Sequence, residues 1–179
     1  GLIYQGGKYH MFYQKNDVFL GIAQQNWGHF TSTDLVNWEE QNAVLWPTEG
    51  WDNFGIWSGC AIILKDGTPA VAYTGVDGVK AGIGTATSSD NYQTLNKNSS
   101  NPVISSAPSD VNMDFRDPYI WTEDDKYHMV VGSGISSIGG NIAYYSSTDF
   151  ENWTYGGIAY QGQKNQEEGQ FWEMPVVYE

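Results

Sequence analysis

The sequence predicts an all-β fold, and more narrowly a β-propeller of which the chain covers about three blades and the first strand of a fourth. Short apolar and aromatic runs alternate with Gly, Asn, Asp and Ser, which is typical of strands joined by tight turns. The composition agrees, with 21 Gly and 15% aromatic residues in 179. A unit of about 58 residues also recurs along the chain, the size of a four-stranded blade with long loops.

The recurrence is visible in two separate motifs. The sequence KYHM at residues 8–11 returns at 126–129, an offset of 118 residues. The pattern Ser-Thr-Asp-x-x-Asn-Trp at residues 32–38 returns at 147–153, an offset of 115. Two motifs that share nearly one offset indicate a duplicated structural unit rather than chance similarity.

A more diverged copy lies between these two, so the repeating unit is half as long. Equivalent first strands start at steps of 59, 58 and 57 residues, at Leu2, Ala61, Tyr119 and Val176. The predicted blades are about residues 1–56, 57–115 and 116–172, and the next blade starts at 173–179. Propellers close with at least four blades, so we expect the chain to belong to a longer protein.

Most of the repeated polar residues are predicted to support the fold rather than to carry chemistry. The motif at residues 32–38 is interpreted as a turn that leads into an outer strand, with its Trp packing between blades. His10 and His128 occupy equivalent strands and are interpreted as architecture. His29 has no second His, Cys or carboxylate at metal-ligand spacing, so no metal site is predicted.

The charge and cysteine content exclude several functions. Eight Lys and Arg against 21 Asp and Glu give a net charge of −13, which argues against nucleic acid and against an anionic membrane surface. Cys60 is the only cysteine, so no disulfide framework exists, and we expect it to be a small buried hydrophobe. No apolar run is long enough for a membrane span. No cofactor is predicted, and the aromatic and carboxylate content suits a neutral, polyhydroxylated ligand.

One stretch, residues 114–121, places an arginine beside a carboxylate at the start of an aromatic strand. Pro118 biases Asp117 toward extended backbone. Arg116 is permanently charged, and we expect it to hold the neighbouring Asp117 ionised. An Arg beside an Asp is also often an ordinary surface pair, so this stretch alone leaves both interpretations open.

The blade model brings distant carboxylates together. Asp117 and Glu173 both lie near the start of a first strand, and first strands run side by side around a propeller axis. Two converging carboxylates in different surroundings are the apparatus of glycoside hydrolysis. Glu173, between Trp172 and Met174, is predicted to hold a proton near neutrality and to act as the general acid. Asp117 suits an acceptor for sugar hydroxyls.

Five ordered motifs resemble those of glycoside hydrolase family 32, the family of invertases, inulinases and levanases. They are RDP at residues 116–118, WEMP at 172–175, WSGCA at 57–61, YHMFYQ at 9–14 and WGH at 27–29. The resemblance covers essentially the whole chain and implies a five-bladed propeller, usually followed by a β-sandwich. It implies an enzyme that releases fructose from sucrose, fructo-oligosaccharides or fructans with retention of configuration. It leaves the location unknown, with a secreted or extracellular one favoured.

The resemblance also implies roles for single residues. Asp117 would stabilise the transition state by binding fructose hydroxyls, and Glu173 would be the acid/base. Four further residues would line the fructose subsite: Gln14, Trp57, Ser58 and Arg116.

The sequence departs from the family pattern in three places. The family's nucleophile lies in a Trp-Met-Asn-Asp-Pro-Asn-Gly motif, and this sequence opens at what would be its final Gly, so no residue inherits that role. We therefore expect the chain alone to be inactive. The usual Glu-Cys-Pro reads Glu173-Met174-Pro175. The segment 18–26 is longer and less aromatic than the family norm, and Phe19 is a poor substitute for its usual Trp.

Two other functions remain open from sequence. An arabinan-degrading five-bladed glycosidase would share the architecture and the acidic pocket, but it explains Arg-Asp-Pro and Trp-Ser-Gly less well. A non-catalytic carbohydrate-binding propeller fragment would keep the pocket without the nucleophile.

Overall fold

The computed structural model describes residues 1–16, 24–111, 113–163 and 168–178. Over these residues the protein is all-β, with strands and no helix, so no helix here could span a membrane. The strands form three separate four-stranded sheets, and within each sheet every strand pairs antiparallel with the next in sequence. The all-β prediction and the three repeating units are confirmed. Phe19 lies outside the described residues, as does most of the segment 18–26.

The strand bounds follow the repeat. The first sheet contains β1 (Leu2–Gln5), β2 (Lys8–Asn16), β3 (Gln25–Ser32) and β4 (Glu39–Leu45). The second contains β5 (Gly55–Ile63), β6 (Pro69–Val76), β7 (Ala81–Thr87) and β8 (Asn96–Lys97). The third contains β9 (Arg116–Glu123), β10 (Lys126–Ile135), β11 (Gly139–Ser147) and β12 (Thr154–Gln161).

The repeated Ser-Thr-Asp motif is the turn that joins the third and fourth strands of a sheet. Asp34 Oδ1 accepts the backbone N–H groups of Asn37 and Val36 at 2.7 and 2.9 Å, and the Asn37 side chain donates to Oδ2 at 2.8 Å. These bonds hold the pKa of Asp34 well below its usual range. Asp149 and Asn152 repeat the arrangement before β12. The predicted turn before the outer strand is therefore present at both copies of the motif.

Apolar side chains between neighbouring sheets form the core. Phe12, Trp27 and Leu45 of the first sheet pack with Ile56 and Tyr73 of the second. Between the second and third sheets, the core side chains are Cys60, Ala72 and Ile83 from the second sheet and Ile120, Met129, Val131 and Tyr145 from the third. Each sheet is therefore stabilised through its faces by its neighbours, as blades of a propeller are.

The edge strand β5 packs against β1 and against β9, and each of the three is the first strand of its own sheet. Between β5 and β9 the backbone N–H of Ile120 donates to Cys60 Sγ at 3.2 Å. Burial raises the pKa of the Cys60 thiol to about 11, so this thiol is a packing group and a weak acceptor. That matches its expected role as a small buried hydrophobe.

The last described segment, residues 168–178, contains no strand. Its backbone contacts the third sheet at isolated points, where Trp172 N donates to Ser133 O at 3.2 Å and Gly140 N donates to Gly169 O at 3.1 Å. The expected first strand of a fourth blade is therefore not seen in residues 168–178. The predicted blade boundaries stay a prediction.

Candidate active site

The starts of β5 and β9 and the segment 171–174 meet at one end of the packed edge strands. Close approach is possible because β10 carries glycine there: a side chain at Gly132 would meet the backbone oxygen of Trp172 at 2.3 Å. Any larger residue would push the Glu173 segment away from β9. All six residues predicted for the site belong to these segments or to β2 beside them.

Arg116 connects three parts of this region. Its guanidinium donates to Asp114 Oδ2 at 2.7 Å and bonds Glu173 Oε1. Its Cζ atom lies 4.3 Å from the Phe171 ring centre and 5.7 Å from that of Trp57. Burial acts to lower the pKa of Arg116, but the bonds to Glu173 and Asp114 outweigh it and the pKa is raised. Arg116 is thus a fixed cation between two carboxylates and two rings.

Asp117 is buried at 6% exposure and adopts a left-handed backbone conformation, with φ of 63°. Its carboxylate Oδ2 accepts the backbone N–H of Met174 at 3.1 Å. Burial raises the pKa of Asp117; the Met174 bond and Arg116 oppose this rise, and Glu173 adds to it. Few non-glycine residues have a positive φ, and such strain concentrates at functional sites.

The expected pairing of Arg116 with Asp117 is wrong. Arg116 bonds Asp114 and Glu173 instead, while the Asp117 carboxylate receives the backbone of Met174. The extended backbone expected for Asp117 from Pro118 is also wrong: Asp117 has φ of 63° where the register between β9 and β10 shifts, so its side chain is not aimed as in a regular strand. Arg116 influences Asp117 only as a nearby charge, and that influence is smaller than the effect of burial.

Glu173 is close to both residues but is not enclosed. Its side chain is 54% exposed and contacts Arg116. The expected apolar enclosure by Trp172 is wrong, because that ring stacks on Tyr160 at 5.5 Å and its Nε1 donates to Glu168 O at 2.6 Å. Glu173 therefore lies at the rim of the site, where a group entering from solvent can reach it.

The first blade contributes Gln14, whose Nε2 donates to Ser58 Oγ at 2.7 Å. The Trp57 carbonyl accepts the indole N–H of Trp27 at 2.9 Å, which fixes the start of β5 against β3. Gln14, Trp57 and Ser58 therefore lie together where the first blade meets the second. The site spans all three blades of the chain.

Three residues at this site had no role assigned from sequence. Asp114 and Phe171 contact Arg116 from two sides, and each lies within two residues of the Arg-Asp-Pro or the Trp-Glu-Met-Pro motif. Thr74 on β6 bonds the backbone of both Ser58 and Asp117. No sequence signal marks Thr74, because its role depends on strand register.

A cleft of about 420 Å³ adjoins the site and shares Trp57 and Asp114 with it. Phe54, Val79 and Lys80 line its outer part, while Asp117 and Glu173 do not line it. Among the described residues no group of three or more His, Cys, Asp or Glu side chains is placed to hold a metal ion.

The family model for the Glycosyl hydrolases family 32 N-terminal domain matches residues 1–179. Among curated proteins, a cell wall beta-fructofuranosidase of Zea mays is 36% identical over 171 residues, covering 85% of this chain and 27% of that protein. Sucrose-6-phosphate hydrolase of Bacillus subtilis (strain 168) is 29% identical over 184 residues, covering 99% and 38%.

Solved structures show the same relation. Fructan 1-exohydrolase IIa from Cichorium intybus superposes with a TM-score of 0.84 at 32% identity, covering 98% of this chain and 33% of that one. A beta-fructofuranosidase from Bombyx mori gives 0.82 at 31% identity, covering 100% and 38%. The chain thus spans between 27% and 38% of the length of these four relatives. The three blades, the motifs and these matches show that the chain belongs to glycoside hydrolase family 32.

Proposed function

We propose that the full-length protein carrying this chain hydrolyses β-fructosidic bonds of sucrose or fructans with retention of configuration. The observation that carries the proposal is the meeting of Asp117 and Glu173. They come from different segments, yet the backbone N–H of Met174, next to Glu173, bonds the Asp117 carboxylate at 3.1 Å. One sugar ring can contact both carboxylates.

The two carboxylates differ in ways that suit different roles. Glu173 is exposed at the rim, where it can protonate the departing sugar oxygen and later activate water. Asp117 is buried and held by backbone, so it suits an acceptor for fructose hydroxyls. Hydrogen bonds to a fixed carboxylate strengthen as positive charge develops on the ring, which stabilises the oxocarbenium-like transition state.

The other site residues serve binding. Gln14 and Ser58 present a hydrogen-bonded amide and hydroxyl, and Trp57 offers a ring on which sugar C–H groups can pack. Arg116 fixes Glu173 in place. In the proposed mechanism a nucleophilic carboxylate about 5 to 5.5 Å from Glu173 forms the covalent intermediate. None of the six residues assigned to the site is proposed for that role.

The fructosyl donor is proposed to be unphosphorylated. Arg116 is the one cation of the described residues that contacts the site's carboxylates, and two of them already neutralise it. A phosphoryl group needs cations that are not already committed. The relatives include both beta-fructofuranosidases and sucrose-6-phosphate hydrolases, so the two substrate classes should be compared directly.

The test is hydrolysis by the full-length protein of sucrose, inulin, levan and sucrose-6-phosphate, with arabinan as a control. We expect fructose release from at least one unphosphorylated fructoside and a loss of kcat of at least a hundredfold in Glu173→Ala and in Asp117→Asn. Hydrolysis of arabinan alone, or near-normal kcat/KM in both variants, contradicts the proposal.

A further inference from the structure

The β-ladders break at two places in the site, one in each of two neighbouring blades. Between β5 and β6, Trp57 pairs with Thr74 and Gly59 pairs with Tyr73, so Ser58 is left without a ladder partner. Between β9 and β10 the register shifts over the positions of Asp117 and Pro118. Bulges of this kind re-aim side chains and leave backbone groups unpaired.

A single hydroxyl group, that of Thr74, serves both breaks. Thr74 Oγ1 donates to the Ser58 carbonyl at 3.0 Å and accepts the Asp117 backbone N–H at 2.9 Å. Thr74 is fully buried, with no exposed surface. Since buried backbone groups require partners, this hydroxyl replaces two ladder bonds that the bulges remove.

The same contact fixes Asp117 in its unusual conformation. Asp117 has φ of 63°, and its two ends are held by different groups: the N–H by Thr74 and the carboxylate by Met174 N–H. Such a conformation persists only when the surroundings over-determine it. Removing the Thr74 hydroxyl frees one of those two ends.

We propose that Thr74 is a positioning residue that sets the directions of Asp117 and Ser58 together, across the boundary between the second and third blades. This inference rests on the proposed function, because it assigns Asp117 and Ser58 to fructosyl binding. Thr74 itself contacts backbone and need not touch the sugar. It acts through Asp117, whose contacts matter most in the transition state.

The chain offers a matched control on the adjacent strand. Thr85 on β7 is equally buried, at 1% exposure, and its hydroxyl has no hydrogen-bond partner among the described residues. Thr85→Val and Thr74→Val each replace one buried hydroxyl by a methyl group of similar size. Only the second change removes hydrogen bonds.

The experiment measures kcat and KM of the full-length protein on its best fructoside, together with its melting temperature. We expect Thr74→Val to lower kcat by about tenfold to a hundredfold with a smaller change in KM, since small misplacements of catalytic groups cost this much. Thr85→Val should leave kcat within about twofold of the unmodified protein, on the same principle. Thr74→Ser, which keeps a hydroxyl, should restore kcat to within about threefold.

A purely structural role gives a different pattern. It predicts a lower melting temperature in Thr74→Val with kcat per folded molecule unchanged, and that result overturns the inference. If Thr74→Val does not fold, Thr74→Cys replaces it, because a thiol is a weaker donor and acceptor. The inference then requires kcat to fall from Thr74→Ser to Thr74→Cys at equal folded fraction, and equal kcat values refute it.

Different results would refute the proposed function and the positioning role of Thr74. If the unmodified full-length protein releases fructose from none of the fructosides, the function assignment is wrong whatever Thr74 does. If Asp117→Asn and Glu173→Gln keep full fructoside hydrolysis, the roles assigned to those two residues are wrong. If those variants lose activity while Thr74→Val behaves like Thr85→Val, the function stands and the positioning role is wrong.

Discussion

Replacing Asp117 by Asn should make the protein more stable at neutral pH while removing most of its activity. Asp117 is 6% exposed, and among the described residues its carboxylate receives one hydrogen bond, from Met174 N–H. Burial raises its pKa above the ordinary value of 3.8, which means that folding disfavours the charged form. Asn keeps an acceptor for Met174 and has no charge to bury.

The sign of the pH dependence follows from that direction. A folded-state pKa above the unfolded one means that the folded protein binds this proton more tightly, so the carboxyl's contribution to stability is present at low pH. That contribution is lost as pH rises from about 3.8 through the raised pKa of Asp117. The stability advantage of Asp117→Asn should therefore be largest at pH 7 and vanish near pH 3.

The magnitude is modest because gains and losses partly cancel. The variant avoids burying an under-bonded charge but replaces a charge-assisted hydrogen bond by a neutral one, for a net gain of about 1 kcal/mol. For a protein of this size, this raises the melting temperature by about 2 to 4 °C, and by less in a longer protein. The activity loss should be a hundredfold or more, since a transition-state contact disappears.

The assay is thermal unfolding of both proteins from pH 3 to pH 8, with sucrose or inulin hydrolysis measured on the same samples. A variant that melts below the unmodified protein at pH 7 would refute the reasoning, because Asp117 would then be a net stabilising charge. A stability advantage of Asp117→Asn that grows as the pH falls would also refute the reasoning.

Two further expectations concern other parts of the structure. Arg116→Lys should lower kcat/KM about tenfold or more, because an ammonium group cannot bond Asp114 and Glu173 while stacking on Phe171. Unchanged kinetics in this variant would contradict the expectation. Burial lowers the pKa of His29 from 6.5 to about 4, and His29 Nε2 lies 3.0 Å from His10 Nδ1. The folded state thus binds the His29 proton more weakly than the unfolded state, so the free energy of unfolding should fall as pH drops from 6.5 toward 4. In urea titrations, His29→Gln should make that fall shallower. An equally steep fall in the variant would show that other groups cause it.

The blades were predictable because their signals are local. The Asp34 and Asp149 turns are each specified within a few residues of sequence, and their recurrence sets the unit length. The meeting of Asp117 with Glu173 was predictable from the same repeat, since equivalent strand starts converge in a propeller. These features can be predicted without knowing how the side chains pack.

The partners within the site were not predictable in this way. Arg116 bonds Asp114 and Glu173 rather than Asp117, which lies in a register break with a left-handed φ that the sequence does not announce. Glu173 is exposed because Trp172 packs on the third blade, where glycines make room for its ring. Thr74 acquires its role from two register shifts, and sequence patterns do not reveal bulges.

The most direct test of the central claim compares the kinetics of Asp117→Asn, Glu173→Gln and the double variant. Groups that serve one sugar ring act as a unit, and their losses are strongly non-additive. The account predicts that the double variant's kcat/KM lies within about tenfold of that of the more damaging single variant. A double variant whose loss equals the product of the two single losses would show that the carboxylates act independently, and would contradict the account.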